Sequence, residues 1–464
     1  VPSVRRISAF TDDALGADDA LGVRQRILDG EITAKEAASA AYARIAKVNP
    51  QLNAMAAVST DPLGDHGDGF WEGVPTLLKD NIDARGMATM HGTDAFEARP
   101  VAKDGETAKA FRISGFSVLG KTQLSEWGFS PAADHPRLGS VRTPWDPTRY
   151  AGASSAGSGA LVGAGAIPIA HGNDGGGSIR IPASVNGLVG LKPTRGRVPQ
   201  DLFYSAMPVK LVSDGVLTRT VRDTAAFHRE IDRRHHNPSL PPIGDVTRPG
   251  RRRLRIAWTT DGAGYGADAQ TRELTEKTAV QLAELGHYVD EVQLPIPETL
   301  ADDFLLYWAS LAVAIVGTGR LRRGWDESRM TGLTVGLAKH ARRNALAIPG
   351  AVSRLRKVTA LSEQFHELYD VVLTPTLAHE TPKVGYLDPQ QPYDDLVRRL
   401  LEWVVFTPWA NVTGAPSISL PVAQTKRGLP QGMMFTARNG WEATLLELSY
   451  ELEEAVGFAR MPGL

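Results

Sequence analysis

Gly172-Asn173-Asp174-Gly175-Gly176-Gly177-Ser178-Ile179-Arg180-Ile181-Pro182 is the stretch on which the reading of this chain turns. Three consecutive glycines leave the backbone free to bring successive N–H groups toward one point. A serine follows at once. Acyl transfer needs that pairing: a hydroxyl nucleophile beside backbone donors aimed at the oxygen that becomes charged. Taken alone, the stretch is also readable as a tight glycine turn with an ordinary capping serine.

Working outward, Gly152 to Ser178 holds nine glycines and four serines in 27 residues. Ala160 to Ala170 inside it is apolar, so the region predicts loop, buried helix and loop rather than a linker. Ser154 and Ser155 place a second pair of hydroxyls in the first loop. Further back, Val74-Pro75-Thr76-Leu77-Leu78-Lys79-Asp80 has the pattern of a short buried strand that ends in a lysine. Burial disfavours a charged amine and lowers its pKa, and a neutral lysine can serve as a base. Ser154 as a local backbone cap and Lys79 as a surface strand end are the alternatives. Spacing alone does not bring Lys79, Ser154 and Ser178 together.

The rest of the chain alternates strand and helix patterns, which predicts an α/β class. Residues 18 to 48 read as two helices, the second opened by the capping box Thr33 and Glu36 and closed before Pro50. Residues 105 to 113 read as a helix and Phe116 to Leu119 as a strand. Leu188 to Leu191 is a short apolar run. Residues 232 to 253 are rich in Pro, Arg and His and read as an exposed connector. Beyond it come a strand at 254 to 258, a helix at 268 to 286 and a strand at 287 to 293. Residues 300 to 368 read as mainly helical, with their arginines on a solvated face. Val371 to Leu373, Ser417 to Pro421 and Gly432 to Phe435 read as strands, and 441 to 457 as the last helix.

Two local patterns mislead. Gly115 to Thr122 matches a phosphate loop, but a helix precedes Gly115 and the interior is Phe, Val and Leu, so it reads as helix cap, strand and turn. Ala153-Ser154-Ser155-Ala156-Gly157 resembles a nucleophile elbow, but Asp146 to Tyr150 before it reads as a polar turn instead of a strand.

Composition narrows the class. A net charge of −1 offers no field for nucleic acid or anionic lipid. There is no cysteine, which excludes disulfides and thiol chemistry and fits a reducing compartment. None of the 11 histidines forms an H-x-x-x-H metal pattern. The first 30 residues hold no apolar core of the signal-peptide kind, and the apolar stretch Leu305 to Val316 is shorter than a membrane span. A cytoplasmic protein follows, with no nucleic acid or membrane partner and no cofactor or metal.

Leu77-Leu78-Lys79-Asp80-Asn81, Gly152 to Ser158, Asp174 to Pro182 and Gly187 to Arg197 together resemble the amidase signature family. Leu119 to Thr122, Asp223, Leu373 to Thr376 and Asn411 to Pro416 extend the resemblance, in the family's order, over nearly the whole chain. The resemblance implies one domain over 1–464 with a central mixed β-sheet covered by helices on both faces. The core motifs lie in 60–230, and a mainly helical region at 300–400 shapes the substrate pocket.

It also implies a Ser–cis-Ser–Lys triad that hydrolyses carboxylic amides. Ser178 takes the nucleophile position. Ser154 takes the bridging position behind a cis peptide bond, and Lys79 the general-base position. The N–H groups of Gly175, Gly176, Gly177 and Ser178 take the oxyanion hole. Ser155, Asp174 and Arg180 take supporting positions. Ala153, Ala156 and Gly175 depart from the family's usual residues. Ala170 to Asp174 and Pro182 to Val185 are similar to the branch of cyclic nylon-oligomer hydrolases. The expected partner is a small or medium organic amide, and a homodimer is compatible. The alternative is the glutaminase subunit of a tRNA-dependent amidotransferase, but Ile181 stands where that subunit usually has Gln, which favours a less polar substrate. Trp308, Trp325 and Trp409 are candidates for the pocket wall, although core packing accounts for each.

Overall fold

The computed structural model describes residues 6–61, 68–262 and 264–461; residues 1–5 of the N-terminal stretch read above lie outside them. An eight-stranded mixed sheet forms the centre. Across it run Tyr288–Glu291, Arg255–Trp258, Val371–Pro375, Pro430–Ala437, Ser417–Gln424, Val189–Lys192, Ser213–Thr218 and Ile169–Asp174. The first three are mutually parallel and every later pairing is antiparallel. Helices flank this sheet, as expected.

Lys79 stands on a smaller sheet. Pro75–Lys79 pairs in parallel with Ser117–Thr122, which pairs antiparallel with Met55–Val58. This sheet lies against the edge strand Ile169–Asp174: the Thr76 hydroxyl donates to Ile169 O at 3.1 Å, and Lys79 N–H to His171 Nδ1 at 3.2 Å. Lys121, the lysine of the phosphate-loop lookalike, is buried. Its ammonium bonds Asp80 Oδ1 (3.1 Å), Thr89 Oγ1 (2.6 Å) and Ala88 O (2.9 Å), which ties down the end of the Lys79 strand.

Several boundaries differ from expectation. The helix over Ala160 to Ala170 stops early: it spans Ala156–Gly163, and Ile169–Asp174 is a strand. Gly165 at φ +76° and Pro168 end the helix, because the first accepts a left-handed turn and the second disfavours helix in the residue before it. Asp146–Tyr150 is not a turn but one strand of a two-stranded ribbon with Arg142–Thr143. Pro50 lies inside the helix Ala34–Leu52, in its last turn, where little helix remains beyond it, and left-handed Asn53 closes that end. The helix Val221–Arg234 extends into the expected connector, within which Asp232 and Ile243 are buried and hydrogen-bonded to one another. Asp223 in this helix caps another, accepting from Ala20 and Leu21 N–H.

Leu300–Gly319 is the largest departure. It is a 20-residue helix, long and apolar enough to cross a membrane by length and composition. The shorter apolar stretch read from sequence understated it. Here the helix packs beside Gly332–Arg343 and Ile348–Leu368, and Asp303 in its first turn pairs with Arg354. Not every arginine in this region is solvated: Arg322 lies over the rings of Phe96 and Trp127.

Candidate active site

The edge strand Ile169–Asp174 ends at the glycines, and the helix Arg180–Asn186 begins two residues after Ser178. Asp174 organises this reversal. Its carboxylate accepts from Gly177 N–H (2.8 Å), Ile179 N–H (3.1 Å), Arg180 Nε and Nη2 (2.9 Å each) and Asn411 Nδ2 (2.8 Å). Burial alone would push its carboxyl up; the Arg180 charge and these donors outweigh that and hold it well below the usual carboxylate range. Arg180 Nη2 also donates to Asn411 Oδ1 at 2.7 Å, which closes a buried ring of three side chains. The supporting positions of Asp174 and Arg180 thus have a physical content: they fix the shape of the glycine turn.

Lys79 has no exposed surface. Its Nζ lies 2.7 Å from Ser154 Oγ, 2.5 Å from Asn173 Oδ1 and 3.3 Å from Asn173 O. Burial lowers its pKa from 10.5 to about 7, against the pull of the Asp214 and Asp174 charges. A neutral amine has two N–H bonds and one lone pair. Asn173 offers two acceptors, which take both N–H bonds and leave the lone pair facing the Ser154 hydroxyl. That is the arrangement a base requires. Behind it, His171 Nδ1 accepts from Lys79 N–H, so the ring proton sits on Nε2 and is donated to Asp214 Oδ1 at 2.9 Å. The peptide bond Ala153–Ser154 is cis. Ser155 links the two loops: its N–H donates to Ser178 O and its hydroxyl to Asn173 O, both at 3.3 Å.

Lys79 thus touches Ser154, and the Ser155 N–H bond to Ser178 O sets Ser178 alongside, with two corrections to the expected geometry. Gly177 is not an oxyanion donor here, because its N–H is held by Asp174; what it supplies is the turn, at φ +132°. The N–H groups of Gly175, Gly176 and Ser178 have no partner among the described residues. Second, the Ser178 hydroxyl makes no hydrogen bond to Ser154 Oγ, so the lysine–serine half of the relay is assembled and the serine–serine half is not.

Ser178 and Gly176 open onto an apolar cavity walled by Phe129, Ile181, Phe304, Trp308, Leu337 and Leu400. The helices of the 300–400 region supply Phe304, Trp308, Leu337 and Leu400 to this wall. Trp308 is a wall residue rather than plain core; its indole N–H donates to Phe129 O at 3.4 Å and its ring stacks on Phe304. Trp409 is buried and Trp325 packs against Gly319, and neither lines this cavity.

Asn173, His171, Asp214, Thr407 and Asn411 all contribute to this arrangement, yet sequence reasoning assigned none of them a role. His171 and Asn173 stand out in the sequence only within the Ala170 to Asp174 resemblance, because the strand that carries them has no strand pattern of its own. Thr407 carries no local signal, and Asn411 stands out only as the start of the Asn411 to Pro416 resemblance, because the partners of both lie more than 200 residues away.

Residues 36–446 match the amidase family. AmiC of Mycobacterium leprae, provisionally named an amidase, is 52% identical over 99% of both chains. The structure of a 6-aminohexanoate cyclic dimer hydrolase is similar with a TM-score of 0.87 and 29% identity, over 97% of this chain and 98% of that one. A bacterial aryl acylamidase of the amidase signature enzymes follows with a TM-score of 0.83 and 26% identity, over 95% and 96%. With its Lys79–Ser154 contact, its Asp174-bound glycine turn and these likenesses over almost its full length, the chain belongs to the amidase family.

Proposed function

We propose that this amidase cleaves its substrate through an acyl-enzyme on Ser178, with Lys79 as the base and Ser154 as the proton carrier between them. The observation that carries the reading is the buried Lys79 Nζ at 2.7 Å from Ser154 Oγ, with both remaining N–H bonds occupied by Asn173. Lys79 takes the Ser154 proton, Ser154 takes that of Ser178, and Ser178 Oγ bonds to the amide carbon. The negative oxygen lies against the free N–H groups of Gly175, Gly176 and Ser178. When the C–N bond breaks, the relay returns a proton to the leaving amine. Water then enters and frees the carboxylate by the same route. The second contact of the relay forms when Ser178 rotates about χ1 toward Ser154, as catalytic hydrogen bonds often tighten only with substrate in place.

The cavity indicates the substrate class. Apart from Ser130 and Ser178 it is walled by apolar side chains and glycine, so it suits an amide with an apolar alkyl or aryl arm. Glutamine would bury an ammonium and a carboxylate against this wall without a charged partner, so the glutaminase alternative is the weaker one. Ile181, which lines the cavity, agrees with this choice. The named activities of the cyclic dimer hydrolase and the aryl acylamidase are in keeping with such a substrate. The test is a series of p-nitroanilides with acyl chains of two to eight carbons, given to wild type and Ser178→Ala. kcat/KM should rise by roughly fourfold per added methylene until the cavity is filled, as expected for about 0.8 kcal/mol per buried CH₂. Mass spectrometry should trap the acyl adduct on Ser178. Undiminished hydrolysis by Ser178→Ala would overturn the assignment.

A further inference from the structure

We propose that Thr407 is a positioning residue for the oxyanion-binding turn, holding one peptide plane so that its carbonyl stays out of the cavity. The inference rests on Ser178 being the nucleophile. Thr407 opens the helix Thr407–Thr413 and is fully buried. Its hydroxyl donates to Gly176 O at 2.6 Å. In a trans peptide the C=O and the next N–H point in opposite directions. The N–H of that same plane belongs to Gly177 and donates to Asp174 Oδ1 at 2.8 Å. The plane is therefore gripped from both sides.

The neighbouring planes are held in other ways. Asn411, four residues along the same helix, donates to Asp174 O at 2.9 Å, which turns the Gly175 N–H away from it. Ile181 N–H donates to Gly177 O at 2.7 Å, which leaves the Ser178 N–H facing outward from the helix start. One short helix from the far end of the chain thus sets two of the planes that decide where the free donors point. The packing is close: a Cβ on Gly177 would lie 2.4 Å from Thr407 Oγ1.

Glycine on both sides gives the 176–177 plane almost no steric barrier to rotation. Without the Thr407 hydroxyl, only Asp174 opposes a flip. A flipped plane would bring the Gly176 carbonyl, with its partial negative charge, toward the space that the Gly176 and Ser178 backbone lines and where the oxyanion forms. The loss would fall on the charged intermediate more than on the neutral substrate, and so on kcat more than on KM.

The test compares wild type, Thr407→Ala, Thr407→Ser and Ser178→Ala on hexanoyl p-nitroanilide. Thr407→Ala should lose roughly 10- to 100-fold in kcat, below the loss of a whole oxyanion donor, with KM within about twofold. Thr407→Ser keeps the hydroxyl and should retain most of kcat. Should Thr407→Ala not fold, Thr407→Val removes the same hydroxyl at nearly constant volume and takes its place. The proposal is overturned if the hydroxyl-free variant keeps wild-type kcat, if the loss is confined to KM, or if Thr407→Ser is as impaired as Thr407→Ala. An inactive Ser178→Ala beside a fully active Thr407→Ala would remove this inference alone. An active Ser178→Ala would remove the nucleophile assignment and the inference with it.

Discussion

Replacing Asp214 by Asn should move the acidic limb of the pH–rate profile toward lower pH. In the proposed relay Lys79 must be neutral to accept the Ser154 proton, so activity should rise as pH passes its pKa of about 7. About half of the enzyme is then competent at pH 7, against roughly one molecule in three thousand for a lysine at its ordinary pKa. Burial produces this gain, and the two nearby carboxylates work against it by favouring the charged amine. Their charges are not equally free. Asp174 is paired with Arg180, whereas among the described residues the Asp214 carboxylate is hydrogen-bonded by the His171 Nε2–H and the Gln200 amide and by no cationic side chain. Asp214 is therefore the charge whose removal Lys79 will register.

In Asp214→Asn the new amide oxygen can still accept from His171, so the ring keeps its tautomer while the charge, with the Gln200 bond to the other oxygen, is lost. A unit charge on the far side of one imidazole, at an effective dielectric near 20, is worth about 1–2 kcal/mol, or about one pH unit. At pH 6 the wild type should run at about a tenth of its plateau kcat/KM and the variant at nearer half of its own. The assay is kcat/KM for one neutral anilide from pH 5 to 9, so that the substrate does not titrate. A limb that stays in place, or moves toward alkali, would refute the assignment of this ionisation to Lys79.

Asn173→Asp should move the same limb the other way, because a carboxylate beside Nζ favours the charged amine; the pH profile decides it. Lys79→Met should abolish hydrolysis and yet stabilise the fold in acid. The native pKa of Lys79 lies below its unfolded value of about 10.5, so the unfolded chain binds the extra proton. The penalty is complete below about pH 7 and fades as pH rises toward 10.5. The melting temperature of Lys79→Met should thus exceed that of wild type most clearly near pH 6, by a few kcal/mol of stability, and the gap should close with rising pH. Arg180→Lys should inactivate the enzyme and destabilise it by about 3 kcal/mol or more in denaturant unfolding, since one ammonium cannot reach Asp174 twice and Asn411 together.

What could be read from the sequence follows from how local each interaction is. The glycine turn, Asp174 and Arg180 lie within seven consecutive residues, and the bonds among them span six positions or fewer, so the stretch announces its own geometry. Lys79 could be read as buried because the run before it is apolar, and the strand Pro75–Lys79 is buried throughout. The strand Ile169–Asp174 was hidden for the opposite reason. Its small and polar residues, Ala170, His171, Gly172 and Asn173, have little intrinsic preference for a strand. They form one because Ser213–Thr218 pairs with them residue by residue from across the sheet. That pairing is also what directs His171 and Asn173 at Lys79, so the fold boundary and the missing site residues share one cause.

The same reasoning explains why the Gly177 assignment failed while the turn itself was recognised. A run of glycines shows that the backbone can present several N–H groups, but not which of them the fold consumes. Asp174 takes one, and the choice is enforced from Thr407 and Asn411, on a helix more than 200 residues downstream. A glycine-rich oxyanion turn is flexible by composition and rigid only by tertiary contact. The direction in which the three remaining donors point, on which the proposed oxyanion site rests, is therefore a property of the whole chain. It is set where the pocket-lining helix Tyr393–Trp403 leads into Thr407, and not within the motif that identifies the site.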